Sequence, residues 1–248
     1  MSNNKDPLII YWAPKSIPGE NNVGEWNMLY KEPETLFQDL VKNKEPESKD
    51  MSLFSCPAVS NRLKRTYVFK NSLKTVCHYD GTDVQNPSAL VDPYGVGVRI
   101  IRPTNFKDGV CMEFNTKYIF FSEESVEAVI NPPMFHRPTY TVKGTVVPAS
   151  YDISQWFRFF SIEVQTWDTK GTLVFEEDDP LFYLEAMTDR KIVLKRFVLT
   201  EKLWSYAEAC ASVGSFYGRH KPLWQRYRMF TETRTHEAVL KEIKANLL

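Results

Sequence analysis

The sharpest chemical candidate in this sequence is His78-Tyr79-Asp80, followed much later by His136. Side chains two apart on a strand share a face, so His78 and Asp80 would point the same way, as chelation requires. Two histidines and one carboxylate form the facial triad that holds Fe(II) in oxygenases, and His136 is one of only three other histidines. Such an enzyme also needs a cation for the carboxylate of its co-substrate 2-oxoglutarate, and Arg137 or Lys143 would serve. Asp80-Gly81 is equally what a hairpin turn requires, and on that reading His78 is an edge histidine and Asp80 a turn residue.

Other catalytic patterns fail on spacing. Gly95-Val96-Gly97 precedes an apolar run but no helix start, so it lacks the dinucleotide-binding context. Neither a Walker loop nor a Gly-x-Ser-x-Gly elbow occurs. Cys77 and His78 are adjacent, and strand neighbours point to opposite faces, so they are no nucleophile–base pair. Glu176-Glu177-Asp178-Asp179 lacks the spaced carboxylates of a calcium loop and reads as a solvated turn. The 4 cysteines (Cys56, Cys77, Cys111, Cys210) contain no Cys-x-x-Cys pair, which points to reduced, buried thiols.

A second candidate is a binding surface. Residues 201–248 carry eight basic side chains against five acidic ones, and Trp224-Gln225-Arg226-Tyr227-Arg228 interleaves cations with aromatic rings. Trp, Tyr and Arg dominate protein–protein hot spots, which favours a protein partner or a homo-oligomer. The same residues can also stack on bases and neutralise phosphates, the pattern of single-stranded nucleic-acid binding, or simply cover the edge of a core.

The elements that must position these residues are mostly strands. Aromatics make up 14% of the 248 residues, and such side chains pack well on pleated surfaces. A short strand is expected at 8–12 and another at 26–30. Helices are expected at 33–41, with Leu36, Phe37 and Leu40 on one face, and from Ser55-Cys56-Pro57 onward. From residue 66 to 198 the period is two, with strands expected at 67–69, 75–79, 96–101, 110–114, 118–121, 139–147, 159–167, 172–175, 181–187 and 192–198. Turn signals such as Asp80-Gly81, Lys107-Asp108-Gly109 and Asp178-Asp179-Pro180 separate them. Short strands at this spacing predict a mainly β, α+β protein: an antiparallel sandwich or jelly-roll-like barrel over residues 1–200. After residue 200 the spacing becomes helical, predicting a helical C-terminal extension (201–248) packed on the β domain, and one whose removal from 219 onward leaves the body folded.

Lys and Arg (31) equal Asp and Glu (31), so no global field steers the chain to nucleic acid or anionic lipid. No apolar run is long enough to span a bilayer, and no signal-peptide core opens the chain, so a cytoplasmic location is expected.

Phe54-Ser55-Cys56-Pro57, Val98-Arg99-Ile100-Ile101-Arg102-Pro103, Lys143-Gly144-Thr145-Val146-Val147 with Tyr151, and Asp179-Pro180-Leu181-Phe182-Tyr183-Leu184 together resemble a β-rich family of bacteria and tailed phages, including phages of marine bacteria. The resemblance covers about half the chain and implies a phage-type intracellular protein (host cytoplasm if phage-encoded), with no catalytic residues to carry over. The glycine–valine–valine–tyrosine order also echoes the deoxyuridine triphosphatase β-fold. Pro148-Ala149-Ser150 stands where that pattern needs an aspartate, and the glycine-rich tail is missing, so that activity does not follow. The leading expectation is a non-catalytic interaction or assembly module without a cofactor. The Fe(II)/2-oxoglutarate oxygenase and single-stranded nucleic-acid binding are the alternatives.

Overall fold

The computed structural model describes residues 6–14, 31–43, 52–85, 98–101, 109–155, 157–211 and 223–248; the expected strand at 26–30 and Gly95-Val96-Gly97 lie outside them. Leu8–Pro14 (β1) carries no charged residue, and a strand of that kind is stable only with both faces covered. Ile10 and Trp12 enter a central core, while Tyr11 and Ala13 enter a second one. β1 lies between Cys111–Ser122 (β7), antiparallel to it, and Ile192–Arg196 (β14), parallel to it. β7 is the spine of this six-stranded sheet. One edge takes β1 and Val98–Ile101 (β6); the other takes Phe159–Thr166 (β11), which pairs in turn with Gly144–Val146 (β9).

A five-stranded sheet packs against it in the order Ala149–Asp152 (β10), Glu127–Asn131 (β8), Pro180–Ala186 (β13), Thr66–Lys70 (β3), Glu34–Thr35 (β2). A three-stranded sheet of Gly171–Phe175 (β12), Thr75–Tyr79 (β4) and Val84–Gln85 (β5) extends the same side. The central core between the sheets is aromatic. Phe69 stacks on Phe182 with centroids 5.0 Å apart and meets Phe120 edge-on at 5.1 Å; Phe120 meets Phe160 edge-on at 4.9 Å. Each such pair adds roughly 0.5–1.5 kcal/mol beyond burial.

Helices cover both outer faces. Leu36–Lys42 (α1), Ser52–Ser55 (α2) and Pro57–Arg65 (α3) lie on the five-stranded sheet, where Leu36 and Leu63 pack on Val68 and Tyr183. Glu201–Ala211 (α4), Leu223–Glu232 (α5) and Thr235–Ala245 (α6) lie on the six-stranded sheet, burying Leu203, Ala207, Phe230, Val239 and Ile243 against Tyr11, Phe121 and Phe197. The result is four layers, helix–sheet–sheet–helix, in the mainly β, α+β class that the sequence predicts.

Four details depart from the expected elements. The parallel β1–β14 pair breaks an otherwise antiparallel pattern; the two strands are far apart in sequence, which leaves ample chain for the crossover a parallel pair needs. The strands expected at 110–114 and 118–121 are one strand, β7, whose register against β11 shifts between Phe159 and Ser161; there the Thr116 hydroxyl donates to the Phe160 carbonyl at 2.9 Å. Residues 139–147 are not a continuous strand: Thr139–Val142 forms a 3-10 turn before β9, with the Tyr140 hydroxyl donating to the Leu181 carbonyl at 2.7 Å. β8, β10 and the two-residue strands β2 and β5 lie outside the expected strands, although Val126, Ala128 and Ile130 do alternate inward.

Gly109 closes the loop before β7. Its φ of +84° favours glycine, and an added Cβ would lie 2.0 Å from the Thr166 carbonyl oxygen, a backbone atom. Gly109→Ala is therefore expected to destabilise the fold by about 2 kcal/mol, read as a lower urea midpoint with unchanged slope. An unchanged midpoint would show that the loop yields freely.

Candidate functional site

The structure does not bring the three expected iron ligands together. His78, on β4, is exposed, with Nδ1 2.8 Å from the Thr172 hydroxyl of β12. Asp80 belongs to the β4–β5 turn: its Oδ1 accepts from the Thr82 N–H (2.9 Å), the Thr82 hydroxyl (2.7 Å) and the Asp83 N–H (2.9 Å). Those bonds, the Thr82 hydroxyl foremost, hold its carboxyl at about 2. His136 sits beyond β8, with both ring nitrogens engaged by other residues. Among the described residues no three His, Cys, Asp or Glu side chains are grouped to hold a metal ion. The triad therefore does not fit Fe(II), and the 2-oxoglutarate reading of Arg137 and Lys143 has no centre to serve. Arg137 is exposed, and Lys143 lies 3.6 Å from Asp168.

His136 instead belongs to a buried polar constellation. Thr35 caps α1, with Gln38 completing a capping box, and this sets the helix so that Leu36 and Asp39 face the sheet. Asp39 is 2% exposed; its Oδ1 accepts from the Lys70 ammonium of β3 and its Oδ2 lies 2.8 Å from His136 Nε2. His136 Nδ1 contacts the Tyr183 hydroxyl of β13, which accepts the Phe135 N–H at 3.2 Å. The Asp39 carboxylate is acceptor-only, so Nε2–H donates to it; in the neutral ring Nδ1 then accepts from the Tyr183 hydroxyl. Burial works to raise the Asp39 carboxyl, but the His136 and Lys70 hydrogen bonds, with the Lys70 charge, outweigh it and hold it at about 2. Burial pushes the Tyr183 phenol up, so it remains a donor. This carboxylate–imidazole–phenol chain fixes loop 132–138; it does not generate a nucleophile.

Beside it lies a recess of about 230 Å³ between α1, α3, β13 and that loop. Its walls are mostly apolar (Leu36, Ala58, Val59, Leu63, Met134 and Phe135), with Arg62, Thr66 and Asn131 among them. Tyr183 and Glu185, two apart on β13, form part of the lining. Glu185 is 3% exposed and is compensated by Arg62 (Nε to Oε2, 2.9 Å) and Arg65 (3.4 Å), both on α3. Asp39 also lines a second cavity of about 150 Å³ with Glu32, Glu34, Lys31, Lys70 and Asp178, where Lys31 pairs with Asp178 and Lys70 with Asp39.

The C-terminal candidates lie on α5. The side chains of Trp224, Arg226 and Tyr227 lie outside the described residues; Arg228 is exposed and donates to Glu232 at 2.6 Å, one turn on. Phe230 of the same helix is buried in the second core, so one face of α5 serves the fold. The acidic run 176–179 is a turn, as expected, with Asp178 in the left-handed region (φ 66°) and Glu176 2.8 Å from Lys74. All four cysteines are free, and burial pushes the Cys77 thiol up to about 12. Cys56 corrects the expectation of buried thiols: it precedes α3 at the surface and is exposed. Among the described residues no helix is long and apolar enough to cross a membrane.

Asp39, Lys70, Tyr183 and Glu185 were missed in the sequence, yet two of them carried a signal. Asp39 falls three residues after Leu36 on the apolar stripe of α1, where a carboxylate demands a buried partner. Glu185 is the lone charge in the run Leu181-Phe182-Tyr183-Leu184-Glu185-Ala186-Met187. Compared with known proteins, the chain matches no family model, no curated protein sequence and no solved structure.

Proposed function

We propose that the chain is a non-catalytic interaction module whose protein partner docks on the helix-covered face of the five-stranded sheet. One observation carries this reading. Met134 and Phe135, 58% and 38% exposed, stand at an apolar recess on a loop held by Pro132, Pro133, Pro138 and the His136 hydrogen bonds. Large apolar side chains around a preformed recess concentrate binding energy, and a loop already rigid loses little entropy when a partner orders it.

Ala58, exposed in the first turn of α3, lines the recess, so Ala58→Trp fills it without entering the core. Panning a random peptide library on the wild type, with the variant as counter-selection, should enrich peptides bearing adjacent large apolar residues. Their affinity for Ala58→Trp should fall by at least about tenfold, or about 1.4 kcal/mol, at an unchanged melting temperature. A library yielding no sequence that prefers the wild type rejects the reading.

A further inference from the structure

We infer, resting on that docking reading, that the segment which enters the recess is acidic as well as apolar: a large apolar side chain flanked by Asp or Glu. The elements around the recess are charged very differently from the chain as a whole, whose 31 basic and 31 acidic residues balance. α3 reads Pro-Ala-Val-Ser-Asn-Arg-Leu-Lys-Arg, with Arg62, Lys64 and Arg65 and no carboxylate. Loop 132–138 adds Arg137, exposed and without an ion-pair partner among the described residues. Of these four cations Arg62 lines the recess itself, and among the described lining residues the one carboxylate is Glu185, buried beneath Arg62 and Arg65. Asp39 on α1 is likewise enclosed by Lys70 and His136.

Glu185 takes Arg62 Nε and Nη2 on one oxygen, both at 2.9 Å, which fixes the guanidinium in the recess wall while its side chain stays 52% exposed. An arginine held in this way meets an incoming carboxylate without first losing its own freedom. Lys64 is held 5.2 Å over the Phe37 ring on the α1 side. Bordering elements of this sign repel basic segments and speed the encounter with acidic ones. The apolar walls then require that the acidic segment also carry a side chain to bury. The recess is concave and of side-chain size, which suits a protruding residue of a peptide better than a planar bilayer.

The test uses the full chain and three labelled short peptides sharing a central Leu-Phe pair, flanked by Glu and Asp, by Ser, or by Lys and Arg, read by fluorescence anisotropy. At low salt the acidic peptide should bind roughly tenfold more tightly than the serine peptide, and the basic one should bind more weakly still. The difference should shrink toward nothing near about 1 M salt, where screening acts within about 3 Å. Arg137→Glu, at an exposed site, should reduce the preference several-fold with the melting temperature unchanged. Equal binding of acidic and serine peptides by both proteins overturns the acidic assignment and leaves the docking reading standing. Failure of all three peptides to bind the wild type rejects both. Two controls assign other occupants, and either result overturns the peptide: binding to phosphatidylcholine–phosphatidylserine vesicles without peptide binding, or a dimer by light scattering that Ala58→Trp dissociates.

Discussion

Removing residues 223–248 is expected to unfold the β body rather than to trim an appendage from it. The sequence suggests the opposite, because α5 and α6 follow the last strand and carry their own charged faces. In the fold they join α4 in covering the part of the six-stranded sheet formed by β1, the Ile119–Phe121 end of β7 and the start of β11. Phe230, Val239 and Ile243 are 6%, 0% and 0% exposed, and Phe230 meets Phe121 of β7 edge-on at 6.2 Å. The chain end is also tied by backbone: the Val198 N–H donates to the Asn246 carbonyl at 2.9 Å and the Leu248 N–H to the Arg196 carbonyl at 3.0 Å. Burying each such side chain contributes roughly 1.5–3 kcal/mol. Losing three of them, and exposing Phe121, Phe157 and Phe197 beneath, is comparable to the whole stability of a domain, roughly 5–15 kcal/mol. The truncated chain should show no cooperative melting transition and should bind a hydrophobic dye. A truncated protein that melts within a few degrees of the full chain would mean that the second core is dispensable.

Asp39→Asn is expected to cost about 3 kcal/mol at neutral pH. The amide removes the negative charge that Lys70 pairs with, and an NH₂ facing His136 Nε2–H sets two donors against each other. The effect depends on pH in a defined sense. The Asp39 carboxyl is held at about 2 in the fold, below its ordinary value of 3.8. A carboxyl lowered on folding contributes stability that is fully present above its unfolded pKa and is lost as pH falls through the folded one. Between about pH 4 and pH 2 the wild type should lose about 2 kcal/mol from this group alone, and Asp39→Asn should lose none of it. The gap between the two urea midpoints should therefore narrow across that window. Parallel curves would show that another carboxylate carries the acid sensitivity. Because the same network pins loop 132–138, Asp39→Asn should also weaken peptide binding at the recess.

The period-two pattern made the strands legible with little context. The expected 75–79, 172–175 and 181–187 match β4, β12 and β13 to within a residue at either end, because alternation records which face meets the core. The α1 stripe and the Pro57 start of α3 were legible for the same local reason, as were the turn roles of Asp80 and of residues 176–179. The candidate site was legible only in fragments. His136 stood out because histidine is rare in this chain, but its partners lie 97 and 47 residues away on separate elements. Chelation by His78 and Asp80 assumed a strand running through both, but β4 ends at Tyr79: His78 meets Thr172, and Asp80 closes the turn.

By itself, the sequence determined the fold class, most strand positions, the helical ends and the charge balance, since each follows from interactions between residues close in the chain. Only the tertiary structure decided that β14 pairs in parallel with β1, that the C-terminal helices complete a second core, and that Asp39, Lys70, His136 and Tyr183 share one buried network. Those outcomes depend on which apolar faces meet across long loops. Sheet pairing and layer order are chosen by the summed burial of many distant side chains, and no local run of residues records that sum.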